Sequence, residues 1–165
     1  MAAAEPLTRP RLVRRRAGHL YGLVVTGSVL AAAPETIGLA RLAVALVGTL
    51  AVYWAAESYA HWTATRTLLG RSLHAEERRE VVADGVPLVA ACLVPVAVLL
   101  AEALLGVAPG TGVRVALLTN TALLVAVGWR MAAAGGVRGV ARVVNAAGVG
   151  LLGVALVVLK YTLLH

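Results

Sequence analysis

The chain has 165 residues, 60% of them apolar and only 14% charged, with a mean hydropathy of +0.85 and a net charge of +7. Soluble domains run about 45–50% apolar and about 25% charged, so these values exclude an ordinary water-soluble domain and point to one membrane domain over residues 1–165. The positive charge is no nucleic-acid signal: no aromatic–basic surface accompanies it, and basic residues collect in the cytoplasmic loops of membrane proteins.

The first apolar run, 17–33, follows a tail carrying Arg9, Arg11, Arg14, Arg15 and Arg16 and stops at Pro34-Glu35. Tail and run together have the outline of a secretory signal ending in Ala31-Ala32-Ala33. Gly18, Gly22 and Gly27 suit helix packing better, so the run is expected to stay as a span. The second run, 37–63, is interrupted only by Arg41, Glu57 and His61. A polar insert, 64–84, follows, and its stretch HAEERREVVAD predicts a short charged helix. Three more apolar runs occupy 86–105, closed by the turn-rich GVAPGTG, then 115–134 and 143–164. Each is close to the ~20 residues a helix needs to cross a ~30 Å hydrocarbon core. Backbone groups in lipid must be satisfied within the segment, so the runs are helices. The predicted fold is all-α, a bundle of five transmembrane helices with its surface on the lipid bilayer.

Loop charge sets the direction. Twelve arginines lie in the tail, in the insert (Arg66, Arg71, Arg78, Arg79) and around the fourth link (Arg130, Arg138, Arg142). The other side has only Arg41, Arg114 and Lys160. The positive-inside rule then places the N-terminus and the insert in the cytoplasm and the C-terminal His165 outside. Arginine for nearly all basic residues, with abundant Ala, Val, Leu and Gly, is the usage of a GC-rich bacterial genome, so a bacterial cell membrane is expected. The lone Cys92 rules out an internal disulfide.

An ionisable group inside a span costs about 2.5–3.5 kcal/mol at the helix centre, so each one needs a reason. Arg41 and Glu102 lie about one turn inside the outer ends of spans two and three and are expected to form an outer ion pair or to reach separately to the interface. Glu57 sits six residues before Thr63, about 9 Å up the helix. Tyr53, Glu57 and His61, spaced by four, share one helix face. His19 and Tyr21 on span one and Asn145 on span five occupy the same cytoplasmic third. Glu57 is expected to point toward His19 and Tyr21, so that these six residues line a transport path.

A carboxylate with imidazoles suits proton transfer or a divalent metal, and desolvation can bring both pKa values toward neutrality. The metal ligands would be Glu57 and His61, fed by Glu76, Glu77 and Glu80 of the insert. The competing expectation is an aromatic belt of Tyr53, Trp54, Tyr59 and Trp62, with Glu57 and His61 reaching to headgroups and the insert lying flat on the membrane. GVGLLG, at 148–153, is no dinucleotide motif because it lies inside a span. Its Gly148, Gly150 and Gly153 are expected to pack span five against a partner helix, within the bundle or in a homodimer. Thr119, Asn120 and Thr121 should hydrogen-bond across helices. No nucleophile with its base and no phosphate loop is present, so an enzyme is not expected.

The layout resembles the vacuolar iron transporter (VIT-like) family: five spans, a cytoplasmic N-terminus and a charged helical insert between spans two and three. The family pattern Tyr-Gly-x-x-Asp-Gly meets Tyr21-Gly22-Leu23-Val24-Val25-Thr26, with Val25 in place of the aspartate. The pattern Gly-Glu-Tyr meets Ala56-Glu57-Ser58-Tyr59, keeping the glutamate, whereas the methionine that precedes it has no counterpart, since only Met1 and Met131 exist. The resemblance implies movement of Fe²⁺ or Mn²⁺ out of the cytosol with proton exchange, the metal being cargo and not a resident cofactor. Two expectations result. One is a divalent-cation transporter with proton coupling; the other is a non-transporting membrane scaffold or partner subunit whose polar residues only pack helices.

Overall fold

A computed structural model describes residues 8–72 and 74–163, and among them there is helix and no strand. The helices are α1 (Thr8–Ala32), α2 (Leu39–Leu69), α3 (Ala75–Asp84), α4 (Val86–Ala90), α5 (Leu93–Leu104), α6 (Pro109–Ala134) and α7 (Val140–Leu163). Three stretches are long and apolar enough to cross a membrane: Leu39–Leu68, Pro109–Ala134 and Val140–Thr162. The apolar part of α1, Ala17–Ala32, is shorter than these. His165 lies outside the described residues.

The expected third span, 86–105, is not one straight helix. It breaks between α4 and α5, and the helices on either side of the break are bent by 43°. Pro95 explains the position: a proline has no N–H for the carbonyl four residues back, here Ala91, and its ring crowds that carbonyl. The helical path therefore opens at Ala91–Cys92. Counted as one, the bent pair makes a fourth candidate crossing.

α2 is the longest helix, with 31 residues and a length of about 46 Å at 1.5 Å per residue. It outruns a hydrocarbon core of about 30 Å. Gly70 ends it in the left-handed conformation (φ 62°), its N–H returning to the Arg66 carbonyl.

Leu39, Leu42, Leu46 and Leu50 fall on one face of α2 and are buried. They pack with Leu30 of α1, Leu88 of α4, Leu99 of α5, and Val113 and Leu117 of α6. α1 stands at the centre, touching α2, α4, α6 and α7. Lipid is as apolar as leucine, so close backbone approach, more than burial, holds such helices together. Gly22 of α1 lies directly on the Leu88 carbonyl of α4. A Cβ at Gly128 of α6 would come within 2.9 Å of Val149 on α7, and one at Gly150 within 2.8 Å of Val125.

The three glycines of the fifth run divide. Gly150 and Gly153 face α6, and a Cβ at Gly153 would stand 2.7 Å from Thr121 Cγ2. Gly148 faces outward with nothing within 4 Å of such a Cβ. The expected packing role thus holds for two of the three, and it is used within this chain. Of the polar trio in α6, Asn120 does bond across helices, donating from Nδ2 to the Leu23 carbonyl of α1 at 3.0 Å. Thr121 instead bonds the Leu117 carbonyl of its own helix.

One end of the bundle gathers the C-terminal ends of α1, α5 and α7 with the N-terminal ends of α2 and α6. Contacts fix this: Lys160 to Ala33, Arg114 to Glu35, and Gly112 beside Leu39 and Glu102. Arg66, Arg71, Arg78, Arg79, Arg130, Arg138 and Arg142, in helix ends, in α3 and in loops, therefore belong to the opposite end, called here the arginine end. There Arg142 of α7 lies over the Trp129 ring of α6, 4.1 Å from its centroid.

Candidate functional site

α3 is held against the arginine end of α2. Glu77 accepts a hydrogen bond from the backbone N–H of His74 (2.7 Å), satisfying a donor at the helix start, and pairs with Arg71 at 2.8 Å. These contacts hold the Glu77 carboxyl down to about 2, the Arg71 hydrogen bond being the largest cause and the His74 N–H the next. At the other end of α3, Trp54 of α2 donates its indole N–H to the Val82 carbonyl at 3.1 Å. Val82 is in the last turn of α3, where carbonyls lack an intrahelical partner. Gly85 makes the approach feasible, since a Cβ there would lie 2.5 Å from Trp54 Cδ1.

This seam leaves a small notch lined by Glu57, Ser58, His61, Val81, Asp84 and Gly85. Glu57, Ser58 and His61 come from one face of α2, and Val81 and Asp84 from the facing turn of α3. The space holds about one water-sized body. That suits a water, a proton or a small, largely dehydrated ion. The Ser58 hydroxyl is buried here without a hydrogen-bond partner.

The expected face is thus partly realised, with a different neighbour. Glu57 and His61 share the notch, but it opens toward α3 and not toward His19 and Tyr21. His19 is occupied elsewhere: its Nδ1 lies 3.2 Å from the Pro87 carbonyl of α4 and, since a carbonyl only accepts, it is the donor. Tyr21, Tyr53 and Asn145 are exposed on the outside of the bundle. Helical periodicity put them at the right depth and could not say which way the neighbouring spans are turned.

The expected metal set does not gather. Among the described residues no group of three His, Cys, Asp or Glu side chains could hold a metal ion. Glu77 is engaged by Arg71 and His74, and Glu76 is exposed. Of the four aromatics expected to form a belt, Tyr59 and Trp62 pack edge to face at 5.9 Å.

The outer ion pair is also different. Arg41 is exposed, and Glu102 is buried with its Oε2 unpartnered. The pair that forms is Arg114 with Glu35, at 3.2 Å. Glu35 lies in the α1–α2 turn, so the turn brings it over the start of α6, a closure that loop counting does not reveal.

Lys160 does more than add to the charge of its end of the bundle. It is 2% exposed, and its ammonium donates to the Ala33 carbonyl at 2.9 Å, with Ala31 at 3.5 Å. These carbonyls are the unsatisfied end of α1, the negative pole of its dipole, and a lysine from α7 caps them. A single lysine late in an apolar run was the available signal.

No family model matches the chain, and no curated protein or solved structure is significantly similar to it.

Proposed function

We propose that the chain is a five-span protein of a bacterial cell membrane, with its arginine end in the cytoplasm, that passes a small cation through the notch at the α2–α3 seam. Five apolar segments alternating in direction, with arginine loops collected at one end, support the topology. The apolar part of α1 spans about 24 Å at 1.5 Å per residue, within reach of a core that thins locally or of flanking arginines that extend to the headgroups. α1 supplies buried Leu23 and Leu30 to the core, which favours a retained span over a cleaved signal.

One observation carries the cation reading. Three ionisable side chains, Glu57, His61 and Asp84, and the unpartnered Ser58 hydroxyl converge on a space the size of one water. Carboxylates attract a cation, and an imidazole can take up the displaced proton near neutral pH. The cargo is a proton or a divalent ion of the Fe²⁺ or Mn²⁺ kind, with proton exchange, in keeping with the VIT-like layout. The chain acts as a carrier and not as an enzyme.

A second reading has its own support. The notch lacks a third metal-ligating group of suitable geometry among the described residues, and Trp54 ties α3 across it. These favour a non-transporting scaffold in which the seam positions α3 for a partner subunit. A homodimer would have Gly148 alone of the three glycines to use, since the other two face α6. Flux separates the two readings. Purified protein in liposomes should admit Mn²⁺, or protons reported by an internal dye, well above protein-free vesicles. Rates equal to empty vesicles for both ions would leave the scaffold.

A further inference from the structure

At the end of the bundle opposite the arginines, one carboxyl stands out among the described residues. Glu102 of α5 is only 9% exposed, and its Oε2 has neither accessible surface nor a hydrogen-bond partner. Glu35 has Arg114, Glu77 has Arg71, and Glu76 is exposed. The Oε2 atom rests against the backbone of Gly112, 2.9 Å from where a Cβ would stand, and Leu39 closes the same spot. Leu99 and Val113, both fully buried, continue the apolar wall.

We propose that Glu102 is a proton-exchange site, a carboxyl that takes up and releases one proton at this end of the bundle. Two opposing influences act on it. Burial without a partner leaves Oε2 with neither water nor a protein donor to replace its hydration, a cost for any buried polar atom. Gly112 belongs to the first turn of α6, so the carboxyl also lies beside the positive end of a 26-residue helix, where negative charge is favoured. The charged groups at this end of the surrounding elements are Arg41 on α2, Arg114 on α6, Glu35 in the α1–α2 turn and Lys160 on α7. None of them bonds Oε2, and Arg114 and Lys160 are engaged with Glu35 and the α1 carbonyls. The net cationic surroundings work with the helix pole. A group pulled both ways exchanges its proton, where a fully paired one would stay ionised and a fully sealed one neutral. The inference does not depend on the reading of the α2–α3 notch, about which a proton site at the opposite end is silent.

Infrared difference spectroscopy of the protein in lipid nanodiscs tests it, because a carboxylic acid and a carboxylate absorb in separate regions. The expected wild-type spectrum has a carboxylic-acid carbonyl band that is absent from Glu102→Gln and disappears as the pH is raised from about 5 to about 9, a range covering ordinary and raised carboxyl values. Glu102→Asp, which keeps the acid on a shorter arm, should retain a titrating band with a shifted midpoint. Wild-type and Glu102→Gln spectra that coincide in this region would mean Glu102 is always ionised. A Glu102 band that persists across the range would mean it never releases its proton. Either result overturns the proposal.

Discussion

Gly153→Leu and Gly148→Leu are the same chemical change five residues apart on one helix, and the structure expects opposite outcomes. At Gly153 even the first added carbon would lie 2.7 Å from Thr121 Cγ2, 3.0 Å from its Oγ1 and 3.1 Å from its Cβ. The obstacle includes the Cβ of Thr121, a β-branched side chain with little rotamer freedom, whose hydroxyl is tied to the Leu117 carbonyl. α7 must therefore move away from α6, which also loosens the approaches at Gly150 and Gly128. Overpacking of this kind costs about 1–3 kcal/mol, and at about 2–4 °C per kcal/mol for a chain of this size the melting temperature should fall by about 2–12 °C. Gly148 has open space around it, and replacing a mid-helix glycine there should be neutral or stabilising by up to about 1 kcal/mol. Thermal unfolding in detergent, followed by tryptophan fluorescence or circular dichroism, reads both. Equal melting temperatures for the two variants would refute the assignment of the α6–α7 face, as would a loss confined to Gly148→Leu.

Lys160→Met keeps length and apolar bulk but removes the cap on α1. The lost charge-assisted bond is offset in part because no ammonium need be buried, so a net cost of about 1–2 kcal/mol is expected, read as a lower melting temperature; an unchanged value would mean the cap contributes nothing. Gly85→Ala should release α3 from α2 more than Trp54→Phe does, because the new Cβ displaces the whole indole while Phe loses only its N–H; amide exchange across residues 75–84 orders the two. Glu77 should titrate near 2 in the folded protein, against about 4.3 in an unfolded chain. Its contribution to the α3 start is thus full above the unfolded value and is lost as pH falls through about 2. Carbon NMR of the Glu77 carboxyl measures this, and Arg71→Gln should return the midpoint toward the ordinary range.

Much of the fold was legible because helices in lipid are written as long apolar runs between charged loops. The runs 37–63, 115–134 and 143–164 correspond to α2, α6 and α7, and the charged insert does hold a helix. The break in the third run is encoded in Pro95, yet a hydropathy reading averages Pro95 into its apolar neighbours and says nothing of its missing N–H. Side-chain facing was far less legible. In a soluble helix polarity marks the buried face, whereas here Val44, Val52 and Leu118 point outward as readily as Leu46 and Leu50 point inward. Glu57 and His61 are therefore legible in the sequence, but their neighbour is α3, through Asp84, and not α1. Arg41 and Glu102 matched in depth and were paired on depth alone, a criterion blind to the closure of Glu35 over α6.

The most direct test of the cation reading is flux through proteoliposomes by wild type and Glu57→Gln, compared from about pH 5.5 to about pH 8 to bracket imidazole titration. Glutamine keeps the size and hydrogen bonding of Glu57 and removes only its charge. Glu57→Gln is expected to fold normally and lose Mn²⁺ or proton flux across this range, while His61→Ala mainly shifts the pH at which flux is half-maximal. Undiminished flux in Glu57→Gln at every pH would contradict the cation reading and reduce the notch to the seam that fastens α3.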